Sequence, residues 1–249
     1  MSRKALIIAN PGRPGETNYC KGVEKDVENY RSFLRSPVGG LWYDSEITIL
    51  HQPGVVQMKV EVLAQSAVDY SMTIFCGHGH HSAQSNSTIV ELKPGVDLDS
   101  NELRRGAARH TLVLDCCRVI APVTRMVESM MAKAMKAESE IHPADCRKYF
   151  DSKLAECPAG LVVLYACSVG QTAGDSESQG GYYSYSLLDG AAQWVKDTYV
   201  DTTKTSRFLS VVEAHEISKK GVNTMSGGRQ VPLIDKPRSG EYFPFAIIS

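Results

Sequence analysis

Four strand-length runs in this chain are apolar at nearly every position: KALIIA at residues 4–9, MTIFC at 72–76, TLVL at 111–114 and GLVVLYA at 160–166. A strand with one solvated face needs polar residues at alternate positions, so runs of this kind suit strands covered on both faces. Between them the period changes. Val23, Val27, Tyr30 and Leu34 recur at helical spacing within 22–34, residues 46–50 read as a further strand, and 55–68 read as a second helix. Strands alternating with helices predict an α/β fold with a mainly parallel sheet of about six strands and helices on both faces.

The remaining segments fit that frame. NPGRPGETN is a turn-rich loop after the first strand, and residues 88–92 form one arm of a small hairpin. Residues 100–108 read as a short helix with Ser100 as its cap. The insertion at 121–159 holds a helix at 126–135 and then the polar stretch HPADCRKYFDSKLAECP. SVGQTAGDSESQGG is a Gly/Ser-rich loop of the kind that carries function. Helices at 182–194 and 208–219 follow, then strand-like QVPLI and EYFPFAIIS. One domain over 1–249 is expected, in three parts: 1–120, the insertion 121–159, and 160–249.

Composition excludes some partners. A chain that is 43% hydrophobic and 22% charged, with a formal net charge of -1, lacks the polyelectrolyte character that attracts nucleic acid or anionic membrane. Seven scattered cysteines without zinc-type CxxC pairs suit a reducing compartment. The amino-terminal apolar run is too short for a signal peptide and no segment nears the roughly 20 residues of a membrane span. A cytoplasmic monomer without a cofactor is the expectation.

Two of the apolar strands end on reactive side chains. SMTIFCGHG delivers His78, and HTLVLDCCR delivers Cys116 and Cys117. Chemistry in parallel sheets gathers at the carboxyl ends of strands, so these residues can face one crevice. A free thiol of pKa about 8.5 is only slightly ionised at neutral pH, so a nucleophilic cysteine needs a base such as His78. Gly77 and Gly79 leave the backbone beside the histidine bare, which lets a substrate carbonyl approach; the amides of Gly79 and Cys117 are the candidate oxyanion donors.

In these features the chain resembles the caspase-like proteases, the metacaspase and paracaspase (prokaryotic caspase, orthocaspase) branch more than the animal caspases, over nearly its whole length. ALIIAN is similar to the family's first strand, NYCKGVEKDVENYRSFL to its first loop and helix, FCGHGHH to its GHG motif, and DCCR to its D-x-C motif. The resemblance implies the caspase three-layer sandwich, His78 as base and Cys117 as nucleophile. Strand alternation agrees, since it turns Cys116 to the other face. The interval from His78 to Cys117 is shorter than the roughly 50 residues usual in caspases. YACSVGQTAGDSESQGGYYSYSLL is similar to the metacaspase stretch in which a Gln-Thr and an acidic residue follow a strand ending in Cys, and QVPLI and FPFAI resemble the final strands. Val119 stands where a small residue is usual.

The same resemblance places Asp26, Asp115 and Asp175 around the primary substrate pocket, with Cys76 where metacaspases often carry a serine. Buried carboxylates need a cationic partner, and a guanidinium can bind two oxygens at once. The implied activity is a cysteine endopeptidase that cleaves protein or peptide chains after Arg, with Lys second. Animal caspases bind aspartate with arginines; the position of the first is Cys20 here, and Asp115 replaces their glutamine. Regulated cell death or antiphage defence follows only by family analogy.

Other readings compete. His78, His80 and His81 with Cys76 are a conceivable zinc set for a hydrolase, although no carboxylate follows at metallohydrolase spacing. GRPG lacks nucleotide-loop spacing, and its prolines remove amide donors. An inactive caspase-like scaffold is the remaining alternative. Self-cleavage between Arg125 and Lys148 is expected as an activation step, with Lys133, Lys136 and Arg147 as further sites. Calcium activation is common among metacaspases, but the sequence assigns no ligand set for it.

Overall fold

The computed structural model describes residues 1–120, 143–200 and 207–248. The chain runs through β1 (Arg3–Asn10), α1 (Val23–Arg35), β2 (Ile47–His51), α2 (Val55–Gln65) and β3 (Tyr70–Gly77). A small antiparallel sheet follows: β4 (Gly79–Ser82), β5 (Ser87–Lys93) and β6 (Val96–Asp99). Then come β7 (Arg109–Asp115), α3 (Pro143–Glu156), β8 (Gly160–Tyr165), the two-residue strands β9 (Asp175–Ser176) and β10 (Gly180–Gly181), α4 (Tyr182–Val200), β11 (Phe208–Ser210), α5 (Val211–Ser226), β12 (Leu233–Asp235) and β13 (Pro244–Ile247).

The main sheet has six strands in the order β12-β8-β7-β3-β1-β2. Every pairing in it is parallel except β12 against β8. The all-apolar strands lie inside this sheet for the reason their pattern gives: both faces are covered. Ala5, Ile7 and Ala9 of β1 point into a core shared with Val27 and Tyr30 of α1, Phe150 of α3, Leu187 of α4 and Ala214 of α5. Leu6 and Ile8 point the other way, against Met58 and Val62 of α2 and Val90 and Leu92 of β5. Each large side chain buried this way contributes roughly 1.5–3 kcal/mol. The result is the α/β sandwich with helices on both faces that the sequence predicts.

Details differ from the sequence reading. HPADCRKYFDSKLAECP, read only as a polar stretch, is largely helix α3, because Cys146, Phe150, Leu154 and Cys157 recur at helical spacing and are buried. Charge pairing ties it down: Arg147 donates to the Glu46 carboxylate and to Leu41 O, and Arg3 lies between the Trp42 and Phe150 rings. The short helix at Ser100 is a single 3-10 turn, Ser100–Arg104, capped by Asp99, whose side chain accepts from Asn101 N. In a DS pair either residue can cap, and Asp99 has the extended backbone a cap requires. Phe208 begins strand β11, and the helix starts only at Val211, where Ser210 and Glu213 form a reciprocal capping box. FPFAI pairs with β11 outside the main sheet. The helix read at residues 126–135 lies outside the described residues.

Candidate active site

β3 and β7 are neighbours, with Cys76 opposite Asp115. His78 and Cys117 each lie two residues beyond that rung, at the carboxyl ends of adjacent strands. Gly77 makes the turn possible: its φ is 150°, and a Cβ there would strike Asn10 O. His78 is buried at 4% exposure, while Cys117 is half-buried.

Cys117 receives a backbone donor. The N–H of Ala173, in the loop after β8, points to Cys117 Sγ at 3.4 Å, and the same Sγ lies 3.7 Å from Ala173 O. Arg118 anchors the loop that carries Cys117. Its Nε donates to Thr88 Oγ1, Nη1 donates to Cys167 O, and the guanidinium stacks 4.0 Å from the Tyr165 ring. Cys116 faces the opposite way into the β5 core at 1% exposure. Burial, followed by the neighbouring Cys167 and Cys117, pushes its thiol well above the ordinary range.

The loop after β1 and the strand β5 close around His78. Glu91 N donates to His78 O at 2.9 Å, and Cys20 Sγ lies 3.4 Å from Nδ1. Because His78 and Glu91 form a bonded pair, Gly79 opposite Val90 falls in a non-bonded position, and its N–H points away from β5. That edge is the one from which His81 N donates to Val119 O, just past Cys117. The expected oxyanion donor therefore faces the cysteine's side of the strand.

Asp26, Cys76, Asp115 and Asp175 come together beside this pair. Asp26 accepts from Gly181 N through both oxygens, at 2.9 and 3.0 Å. Asp115 Oδ2 accepts from Ser184 N at 2.9 Å and Ser184 Oγ at 2.6 Å, and Asp175 accepts from Gly22 N at 2.9 Å. Asp26 and Asp115 are 2% and 5% exposed. Burial first, then the Asp115 charge and the Asp175 charge, raises Asp26 well above the carboxylate range, against the Gly181 bond. Burial likewise raises Asp115 to about 6, with the Ser184 bonds opposing and Asp175 adding. Cys76 is raised by burial, then by Asp26 and Asp115. Burial and the neighbouring acids thus shift Asp26 and Asp115 toward their neutral forms, a shift that a cation between them would reverse.

Sequence reasoning missed Gly181 and Ser184, which hold the acids, and Ala173, which meets the thiol. Their contacts span 155, 69 and 56 residues, beyond any local pattern. GGYYSYS, directly after the functional loop, was the available signal. Cys20, noted only as an animal-caspase pocket position, sits against the histidine. As for the zinc alternative, no group of three or more His, Cys, Asp or Glu side chains among the described residues is placed to hold a metal ion. His80 and His81 are consecutive on β4 and leave opposite faces of it. Among the described residues, no helix is long and apolar enough to cross a membrane.

No curated protein matches the chain. The family described as caspase domain, peptidase C14, matches residues 2–243. With its sheet order, its histidine and cysteine at adjacent strand ends and that match over nearly its whole length, the chain belongs to the caspase-domain family of cysteine peptidases.

Proposed function

We propose that this protein is an endopeptidase that cleaves after arginine, and less readily after lysine, using His78 and Cys117. The observation that carries the reading is the buried pair Asp26 and Asp115, with the half-buried Asp175, beside a half-buried cysteine. Three carboxylates in one pocket repel an aspartate side chain and favour a guanidinium, which can meet two of them through its fork of N–H donors.

The chemistry uses side chains and backbone amides alone. His78 takes the Cys117 proton, and the thiolate attacks the scissile carbonyl carbon. The resulting oxyanion lies toward the N–H groups of Gly79 and Cys117. The His78 imidazolium then protonates the leaving amine as the C–N bond breaks, giving a thioester. Water, deprotonated by His78, attacks that thioester, releases the new carboxyl terminus and restores the thiol.

The test is a fluorogenic peptide panel with Arg, Lys or Asp at the cleavage position, run on wild type and Cys117→Ala. The reading requires turnover in the order Arg, Lys, Asp, abolished by Cys117→Ala. Preference for Asp overturns the pocket, and turnover that survives in Cys117→Ala overturns the nucleophile.

A further inference from the structure

Gln52, the residue after β2, has φ +47°. Glycine adopts this left-handed region freely, but a glutamine there is strained by roughly 1–3 kcal/mol, and such outliers cluster at functional sites. What Gln52 does with that backbone is visible in its bonds. Its N–H donates to Ala9 O at 2.9 Å, and its side-chain Nε2 donates to Gly12 O at 2.9 Å and to Asn10 Oδ1 at 3.1 Å.

Both acceptors lead to His78. Gly12 lies on the imidazole: a Cβ added to Gly12 would stand 2.7 Å from His78 Nε2. Asn10, fully buried, accepts from Gly12 N at 3.1 Å and donates through Nδ2 to Glu91 O at 2.6 Å and Glu91 Oε2 at 3.1 Å. Glu91 N in turn holds His78 O. The ring is thus bounded by the Gly12 peptide, its backbone is held by Glu91, and Asn10 joins the two holds. Gln52 fixes the Gly12 side of this frame from the turn that follows β2.

We propose that Gln52 is a positioning residue for His78, fixing the Gly12 peptide against the imidazole so that the ring keeps the orientation in which it can take the Cys117 proton. The proposal rests on the reading of His78 as the base. It explains why a non-glycine residue occupies a left-handed position: glycine would relax the backbone but remove the amide that holds Gly12. A sub-ångström to ångström error in placing a catalytic group costs up to about a hundredfold, so loss of one of several anchors should cost about tenfold.

The experiment compares Gln52→Gly and Gln52→Glu with wild type. Gln52→Gly removes the amide and relieves the backbone; Gln52→Glu keeps the size but presents oxygen where Gly12 O and Asn10 Oδ1 need a donor. Melting temperature, kcat and KM on the Arg peptide, and the pH dependence of Cys117 alkylation by iodoacetamide, followed by peptide mass spectrometry, are the readouts.

The expected result is a melting temperature for Gln52→Gly equal to or above wild type. With it, kcat falls about tenfold, KM stays within about twofold, and the pH profile of Cys117 alkylation is displaced. Gln52→Glu should lose at least as much kcat. The inference is overturned if both variants match wild type in kcat and alkylation profile, or if activity falls only in step with melting temperature. Failure of the underlying reading looks different: wild-type Cys117 would then alkylate with the same pH profile in His78→Ala, and the Gln52 inference would fall with it.

Discussion

Cys76 and Asp115 face each other in register across β3 and β7, and His78 and Cys117 each follow that rung by two residues. Residues two apart on a strand share a face. The rung thus lies directly behind His78 and Cys117, while Cys116, between Asp115 and Cys117, is turned into the opposite core. In the proposed function, selectivity and chemistry are joined through two short backbone segments.

Asp115→Asn should separate affinity from stability. The amide keeps an oxygen for Ser184 but removes a charge that a bound guanidinium would neutralise. Losing one partner of such a buried pair costs 2–5 kcal/mol, so kcat/KM on Arg peptides should fall by about thirtyfold or more. Free of substrate, the same change removes an ill-placed carboxylate, so the melting temperature at pH 7.5 should rise. Steady-state kinetics and thermal denaturation on one preparation read both; a fall in melting temperature with unchanged kcat/KM contradicts the pocket.

The acid cluster should also make ligand binding pH-dependent. Asp115 is raised to about 6 from 3.8, so between those values the folded chain holds a proton that the unfolded chain has released. More protons in the native state mean that stability falls as pH rises through this window. A cationic ligand reverses the trend by favouring the ionised acid. Thermal shift of Cys117→Ala with benzamidine should be small at pH 5 and grow as pH passes 6. A shift independent of pH would mean that the acids do not meet the cation.

Gly79 and Cys116 are in contact: a Cβ on Gly79 would lie 2.8 Å from Cys116 Sγ and from Ile89 O. Gly79→Ala must displace the strand that carries the proposed oxyanion donor, and losing one such donor costs about 10²–10³ in kcat. Cys116→Ala should retain turnover, with a stability loss of about 1 kcal/mol for the vacated volume. Kinetics on the two variants check this; a dead Cys116→Ala beside an active Gly79→Ala would exchange their roles.

The sheet was legible because strands buried on both faces must be apolar throughout, and the strand ends were legible because His78 and Cys117 terminate such runs. Asp26 was readable too. It sits on the buried stripe of α1 with Val23, Val27, Tyr30 and Leu34, and a carboxylate on a core-facing stripe needs a reason. α3 escaped notice because lysines, arginine and acids interrupt its apolar spacing. The supports of the site escaped for a different cause. Gly181, Ser184 and Gln52 act through backbone amides, a hydroxyl and a side-chain amide brought in from distant segments, and nothing local in the sequence marks that use.

The helix α3 constrains any self-processing. Arg147 is helical and held by Glu46. Burial alone would raise Glu46, but its Arg147, Tyr43 and Arg3 partners leave it below the ordinary value. Lys148 is exposed on the same helix. A protease needs an extended substrate, so cutting after either residue requires unwinding α3 first. Amino-terminal sequencing of a self-processed sample should find no fragment beginning at Lys148 or Tyr149. Arg147→Ala should lower stability by about 1 kcal/mol, given a partly solvated pair, which is about 2–4 °C in melting temperature.

The most direct test of the central claim, an arginine-directed thiol nucleophile at Cys117, is tandem mass spectrometry of the protein after treatment with an arginyl chloromethyl ketone. The account predicts one adduct, on Cys117, absent from Cys117→Ala and suppressed by excess benzamidine at pH 7.5. An adduct on Cys116 or Cys20, or one that persists in Cys117→Ala, would contradict it.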